Sequence, residues 1–232
     1  MTRQQIQEFE QLQQHLRQAV VTTDAWAGEI KTVAGVDVAY EKGSDTLIAA
    51  VAVLDAHTLA LREVVSFRGE ATFPYIPGLF SFRELPAVLQ ALEKLPQAPD
   101  LVVCDGQGLA HPRRFGLACH LGVATGIPTI GCAKTRLLGE YQPLAPSRGS
   151  YAELVDNGEV VGRALRTQTD KNPVFVSVGH NISLETATEW VLRLTPLYRL
   201  PETTRAADHA VNTLLRATSA SKDEDDSAKA SL

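Results

Sequence analysis

The segment TVAGVDVAY, residues 32–40, is a run of apolar and β-branched residues that contains a single carboxylate, Asp37. Two comparable runs follow it, LIAAVAVLD at residues 47–55 and ALREVVSF at residues 60–67, and short segments separate the three. Runs of this length and composition are typical of β-strands. The sequence therefore predicts a three-strand antiparallel meander with Asp37 in the middle of its first strand.

Beyond the meander, helical and strand patterns alternate. Apolar residues three or four positions apart predict helices at residues 83–95 and 115–125, and a short apolar run typical of a buried strand follows each, at 101–104 and 128–132. Alternation of this kind predicts parallel strands. The remaining predicted elements are an N-terminal amphipathic helix at 2–20, a hairpin around Asp156-Asn157-Gly158, a strand at 174–178, and helices at 183–194 and 202–215.

Three antiparallel strands followed by parallel strands, with helices on both faces, predict an α/β fold with a mixed sheet of the ribonuclease H-like type. The chain has 232 residues, of which 44% are hydrophobic, so it can bury one sizeable core. We therefore expect a single domain at residues 1–219. The charged composition of residues 220–232 predicts a disordered tail.

The composition also bears on the compartment. No apolar run reaches the roughly 18 to 20 residues that a membrane span needs, so we expect a cytoplasmic protein that does not contact membranes. The three cysteines, Cys104, Cys119 and Cys132, form no CxxC pair and predict neither a disulfide framework nor a thiolate metal site. We expect them to be reduced core residues and the protein to be a monomer.

The net charge of −5 is unusual for a protein that binds nucleic acid, because Lys and Arg normally supply most of the affinity for phosphate. Part of the acidity lies in residues 221–232, which hold four acids and two lysines. The charge balance therefore predicts transient and salt-sensitive binding to any nucleic acid.

Four acidic residues are candidates for a metal site. Asp37 lies in mid-strand, where an unpaired buried carboxylate is costly and needs a positive partner. Asp105 follows the strand at 101–104 and precedes Gly-Gln-Gly, while Glu84 and Asp208 lie on predicted helices. Each has an ordinary structural explanation when taken alone. Together they form a set of hard oxygen ligands that suits a pair of Mg²⁺ ions roughly 4 Å apart, with Mn²⁺ as a substitute.

Several long motifs resemble those of the endonuclease V family. FPYIPGLFSFRE at residues 73–84 is similar to the family's PYIP wedge and its downstream catalytic Glu, and DGQGLAHPRRFGLACHLG at residues 105–122 is similar to its second signature. GVDVAY at 35–40, GCAKT at 131–135 and RAAD at 205–208 also match, in the expected order. The resemblance covers nearly the whole predicted domain.

This resemblance implies a Mg²⁺-dependent deoxyribonuclease of DNA repair that acts on deaminated purines such as inosine. It implies hydrolysis of the second phosphodiester bond 3′ to the lesion, leaving a 3′-hydroxyl and a 5′-phosphate. Asp37, Asp105 and Glu84 would be the metal ligands and Asp208 a further catalytic acid. Because His209 follows Asp208 directly, the sequence leaves open which of the two faces the site.

The predicted substrate site centres on an aromatic residue. Tyr75 lies among prolines and is suited to fill the gap that a flipped base leaves in a duplex. Glycines in the motifs allow main-chain groups to approach a base edge, and the resemblance adds a leucine. The predicted substrate-binding residues besides Tyr75 are Pro74, Ile76, Pro77, Gly78, Gly106, Gly108, His111, Gly131 and Leu137. For His111, a purely structural role is an equal alternative.

Cationic residues complete the prediction. Lys134 follows the strand at 128–132 and is a catalytic candidate because it could offset the charge of the scissile phosphate; the alternative is a salt bridge to a site acid. A positive groove is expected from Arg113, Arg114, Arg136, Arg148, Arg163, Arg166 and Lys171.

Three other functions fit parts of the pattern. Another ribonuclease H-like nuclease, such as a junction resolvase, would use the same acids but has no need of a Tyr75 wedge. A catalytically silent nucleic-acid binding module would not need all four acids and Lys134. A phosphohydrolase of small substrates leaves the wedge unexplained. The sequence does not decide whether DNA or RNA is the natural substrate.

Overall fold

The structure is a computed structural model that describes the backbone of residues 1–229 and the side chains of residues 1–218. Residues 230–232 lie outside the described part. In chain order, the elements are α1 (Arg3–Arg17), β1 (Thr32–Tyr40), β2 (Thr46–Asp55), β3 (Leu61–Glu70), α2 (Phe80–Leu92), β4 (Leu101–Asp105), α3 (Leu117–Thr125), β5 (Thr129–Ala133), β6 (Tyr151–Asp156), β7 (Glu159–Leu165), β8 (Val174–His180), α4 (Leu184–Arg193) and α5 (Glu202–Lys229).

All strands belong to a single eight-stranded mixed sheet with the order β3-β2-β1-β4-β5-β8-β7-β6. The meander is confirmed, because β1 pairs antiparallel with β2 and β2 pairs antiparallel with β3. The parallel part is smaller than the sequence suggests. β4 lies parallel to β1 and β5 lies parallel to β4, but β8 runs antiparallel to β5 and the β6–β7 hairpin continues antiparallel from it. The ribonuclease H-like mixed sheet holds.

Helices cover both faces of the sheet, as predicted. α2 and α3 pack their apolar residues against one face, and α4 packs against the other. α5 lies on the same side as α4 and contacts β1 and β2. The alternation along β1 assigns Val33 to the face of α4 and Ala34 to the face of α2, because successive side chains of a strand point to opposite faces.

A close backbone contact fixes α5 on β1. A Cβ atom added at Gly35 would lie 2.0 Å from the carbonyl oxygen of Thr203, in the first turn of α5. Only glycine allows the helix to lie this close to the strand. The contact sets the position of the residues that follow along α5, including Asp208.

The end of α5 differs from the prediction. The sequence predicted that the last helix ends at residue 215, whereas the backbone is helical to Lys229. The segment contains no glycine or proline, and several of its residues favour helix, so a helix already anchored on the sheet can propagate through it. The division into a domain at 1–219 and a tail stays a prediction.

Other local features agree with the sequence. The β6–β7 turn has positive φ at Asn157 and Gly158, as its Asn-Gly pair predicts. Cys104, Cys119 and Cys132 are free and buried.

Within the described residues, no helix combines the length and the apolar character needed to cross a membrane.

We expect Gly35→Ala to destabilise the protein, because the added methyl group overlaps the backbone of α5 and forces the helix away from β1. Overpacking of this kind costs about 1–3 kcal/mol of the free energy of unfolding, which urea denaturation measures. In Gly28→Ala the added carbon has no atom within 4 Å, so any loss there comes from the strain of alanine at φ +77°, about 1 kcal/mol, and the loss in Gly35→Ala should be larger. Equal losses in the two variants would contradict the proposed contact.

Candidate active site

The candidate site lies at the carboxyl ends of the parallel strands. Asp37 projects from β1, and Asp105 ends the neighbouring β4, where Val36 pairs with Cys104 in parallel register. Lys134 follows β5, the next strand along. Strand pairing therefore brings these three side chains together at the carboxyl-terminal end of the parallel strands, as the sequence predicted.

Lys134 pairs with Asp105. The Nζ of Lys134 lies 3.0 Å from Oδ2 of Asp105, and both side chains are only partly exposed. The hydrogen bond to Asp105 raises the pKa of Lys134, and the carboxylates of Asp37 and Asp208 add to the effect. This salt bridge is the alternative that the sequence left open. It keeps a positive charge beside the acid cluster, by which we mean Asp37, Glu84, Asp105 and Asp208.

The carboxyl groups of Asp37 and Glu84 have pKa values above their ordinary range. Burial raises the pKa of Asp37 to about 6, and the charges of Asp105 and Asp208 contribute, although Oδ1 of Asp37 accepts a hydrogen bond of 2.9 Å from the backbone N–H of Val38. For Glu84, burial raises the pKa to about 7, with further contributions from Asp37 and Asp105. The raised pKa values of Asp37 and Glu84 therefore reflect mainly the burial of these two carboxyl groups, and repulsion from the neighbouring acids adds to it.

Tyr40 was not among the predicted site residues. Its hydroxyl donates a hydrogen bond of 3.0 Å to Oε1 of Glu84, and the guanidinium of Arg83 lies over its ring. The bond to Tyr40 fixes the carboxylate of Glu84, which is only 7% exposed. Its place at the end of the GVDVAY motif was the only signal in the sequence.

The donor set suits a hard cation. Asp37, Glu84, Asp105 and Asp208 offer only carboxylate oxygens, which are the ligands that Mg²⁺ and Mn²⁺ prefer. In the part of the chain that the structure describes, no three acidic, histidine or cysteine side chains enclose one point closely enough to form a finished metal cage. The acids interact through their charges but come from opposite faces, Glu84 from α2 and Asp208 from α5.

Asp208, not His209, faces the acid cluster. The charge of Asp208 acts on both Asp37 and Lys134, and its carboxylate accepts a hydrogen bond of 3.1 Å from the side chain of Asn212. His209 lines a groove between α5 and β3, beside Leu61, and also shares a polar pocket on α5 with Asp208, but its charge is not among those that act on Asp37 or Lys134.

A cleft of about 230 Å³ opens beside Asp105. It is lined by six of the predicted substrate-binding residues, namely Tyr75, Pro77, Gly78, Gly106, His111 and Leu137. Residues that the sequence analysis missed also line it: Phe80, Ser81, Gln107, Phe115, Gly116 and Leu117. Of these, Gln107 had a visible signal, because it stands between the two glycines of the second motif.

Four predicted substrate-binding residues do not line the cleft: Pro74, Ile76, Gly108 and Gly131. Gly108 and Gly131 are buried, and an added Cβ would lie 2.1 Å from the carbonyl oxygen of Val178 and 2.5 Å from the backbone nitrogen of Gly108, respectively. These glycines let the loop after β4 pack against β5 and β8. They hold the loop that lines the cleft in place and do not line the cleft themselves.

His111 has both ring nitrogens occupied by protein groups. Nδ1 accepts hydrogen bonds from the backbone N–H groups of Arg113 and Phe115, so Nε2 carries the proton and donates to the carbonyl of Gly78 at 2.9 Å. Burial lowers the pKa of His111 to about 4, so the ring is neutral at pH 7. His111 lines the cleft but is held as a structural histidine.

The predicted positive groove is largely committed to internal contacts. All six of its arginines donate to acceptors within the protein: Arg113, Arg114, Arg136, Arg148, Arg163 and Arg166. Arg114, for example, forms ion pairs with Asp156 and Glu159 and is almost fully buried. Among the predicted cationic side chains, it is Lys134 that lies at the acid cluster.

Comparison with known proteins identifies the family of the chain. A family model described as Endonuclease V matches residues 14–209. Endonuclease V of Nocardia farcinica is 56% identical over 206 residues, which cover 89% of this chain and 91% of the relative.

Solved structures give the same result. The crystal structure of endonuclease V from Streptomyces avermitilis matches with a TM-score of 0.88 and 49% identity, covering 92% of this chain and 94% of that one. Endonuclease V of Ciona intestinalis, in complex with a 24mer DNA containing an inosine followed by a ribo-adenosine, matches with a TM-score of 0.82 and 28% identity over 93% and 99% of the two chains. The chain therefore belongs to the endonuclease V family and is a deoxyribonuclease.

Proposed function

We propose that the protein recognises inosine in DNA and hydrolyses the second phosphodiester bond 3′ to it, leaving a 3′-hydroxyl and a 5′-phosphate. The observation that carries the proposal is the cleft between Tyr75 and Asp105, which directly adjoins the acid cluster. The Ciona relative bound to inosine-containing DNA supports the assignment of the substrate. The proposed role is DNA repair.

We assign the cation to Asp37, Glu84 and Asp105, with Asp208 as a further acid. When bound, Mg²⁺, or Mn²⁺ in its place, activates a water molecule for attack and stabilises the leaving oxygen. The hydroxyl of Tyr40 orients Glu84, and the backbone N–H of Val38 orients Asp37. Lys134 supplies a positive charge beside Asp105, where the incoming phosphate adds negative charge.

The relative placement of cleft and acids supports cleavage at a distance from the lesion. Asp105 belongs to both, since it lines the cleft and also pairs with Lys134 in the acid cluster. Asp37 and Asp208 lie beyond it and do not line the cleft. A base held in the cleft would therefore present a neighbouring phosphodiester bond, and not its own, to the acids.

Tyr75 is proposed to fill the place of the flipped base. Its side chain is 67% exposed, and Leu137 across the cleft is 56% exposed. Large apolar side chains exposed at the rim of a cleft are available to stack on bases. A nuclease that did not extract a base would have no use for them, which argues against a resolvase-like function.

The decisive experiment uses labelled single- and double-stranded DNA and RNA oligonucleotides, each with or without one inosine, in Mg²⁺ or EDTA. We expect inosine-dependent cleavage at the second 3′ bond of the DNA substrates in Mg²⁺ and none in EDTA. The RNA arm decides whether RNA is also a substrate. Equal cleavage without inosine, or cleavage that persists in EDTA, would contradict the proposed function.

We expect Asp37→Asn and Asp105→Asn to lower kcat more than about 100-fold. Loss of a group that merely hydrogen-bonds to a metal ligand already lowers activity by about 10- to 100-fold, and loss of a ligand should cost more. Binding to inosine-containing DNA should largely survive, since the cleft and Tyr75 remain. Single-turnover cleavage and gel-shift titration measure the two effects. Glu63→Gln, which changes an exposed acid on β3, is the matched control. Normal turnover by either aspartate variant would refute the metal assignment.

Replacement of the aromatic ring tests the wedge. We expect Tyr75→Ala to weaken binding to inosine duplexes about fivefold to a hundredfold, since stacking contributes about 1–3 kcal/mol per base. Single-stranded substrates should lose less, because they have less stacking to restore. Tyr75→Phe keeps the ring and should behave like the unchanged protein. Parallel titrations on both substrates decide the matter; equal losses would mean that Tyr75 supports the loop and does not act as a wedge.

A further inference from the structure

Tyr75 projects from a loop, residues 73–79, whose base is held unusually firmly. The carbonyl oxygen of Gly78 accepts three hydrogen bonds, from Nε2 of Gln13 at 2.7 Å, from Nε2 of His111 at 2.9 Å and from Nη2 of Arg113 at 3.0 Å. A carbonyl oxygen has two lone pairs, so the three donors share them and leave the oxygen no free acceptor capacity. The loop therefore has an exposed aromatic tip and a fixed base.

Of the three donors, Gln13 is the one that lies outside the motifs quoted above. It lies on α1 and is completely buried, which is unusual for a glutamine. Its side chain bridges two partners, because Nε2 donates to Gly78 while Oε1 accepts from Nε of Arg113 at 2.5 Å. Both ends of the buried amide are thus satisfied by the base of the Tyr75 loop and by the arginine behind it.

α1 also grips the loop at its two ends. The ring of Phe9 lies edge-on to Phe73, at the start of the loop, and to Phe82, just beyond its end, with centroid distances of 4.9 Å in both cases. Glu10 forms an ion pair of 3.5 Å with Arg113. A single face of α1 therefore contacts the start, the base and the far side of the loop.

We propose that Gln13 is a positioning residue that locks the Tyr75 loop, so that the ring is already oriented for entry into a duplex before DNA binds. The inference rests on the proposed function and deepens it. A loop ordered in advance does not lose conformational entropy on binding, and this favours affinity. Gln13 lies just before residue 14, where the match to the family model begins.

Two variants separate the lock from simple loss of folding. Gln13→Leu removes both hydrogen bonds of the amide, whereas Gln13→Glu removes the donor to Gly78 and keeps an oxygen for Arg113. Gln14→Leu makes the same change at the next position of α1, which is exposed, and is the matched control. Thermal melting of each variant reports whether the fold as a whole is retained.

The first readout does not depend on activity. Limited digestion with chymotrypsin after the exposed Tyr75 measures local opening of the loop, because proteases cut segments that unfold locally. We expect digestion at this bond to be about two- to tenfold faster in both Gln13 variants, the factor that corresponds to one net hydrogen bond, and unchanged in Gln14→Leu. Unchanged digestion in folded Gln13→Leu and Gln13→Glu would overturn the proposal.

The second readout is a double-mutant cycle with Tyr75→Ala. If Gln13 acts through Tyr75, Gln13→Leu should raise KM for inosine duplexes about two- to tenfold with little change in kcat, leave single-stranded substrates unaffected, and add nothing in the Tyr75→Ala background. An equal additional loss in that background, or on single strands, would overturn it. If the unchanged protein shows no inosine preference, the proposed function fails, while the digestion experiment still tests the lock.

Discussion

Repulsion among carboxylates in a partly buried setting is the constraint on which the rest of the structure depends. Asp37, Glu84, Asp105 and Asp208 act on one another at one edge of the sheet, and burial raises the pKa of the first two well above the ordinary range. Like charges in such a place destabilise a fold unless something compensates them. Lys134 provides part of the compensation through its ion pair with Asp105, and the cation that we propose for this site would provide more.

Holding such a cluster together requires a rigid frame, and main-chain packing provides it. Gly35 lets α5 lie directly on β1, while Gly108 and Gly131 let the loop after β4 lie on its neighbours. These contacts involve backbone atoms, which move less freely than side-chain ends. Asp37, Asp105 and Asp208 are thereby attached to strands and a helix that these backbone contacts hold together, while the hydrogen bond from Tyr40 holds the carboxylate of Glu84.

The sequence predicted the features that depend on local pattern. The alternation along β1 placed Asp37 correctly, and the end of the strand at 101–104 placed Asp105 beside it. Features that depend on contacts distant in the chain escaped prediction. Gln13 meets Gly78 across 65 residues, and no periodicity signals that pairing. The same reason explains why the arginines looked available for DNA, and why Gly108 and Gly131 looked like groups that read a base.

The burial of all three cysteines affects how the protein reacts with oxidants and alkylating agents. Cys104 and Cys132 flank Asp105 across the β4–β5 pair, and burial raises the pKa of both thiols to about 12. Oxidants and alkylating agents react with the thiolate, which is scarce at neutral pH when the pKa is this high. The strands that carry Asp37 and Asp105 are thus shielded from sulfur oxidation as long as the core stays closed.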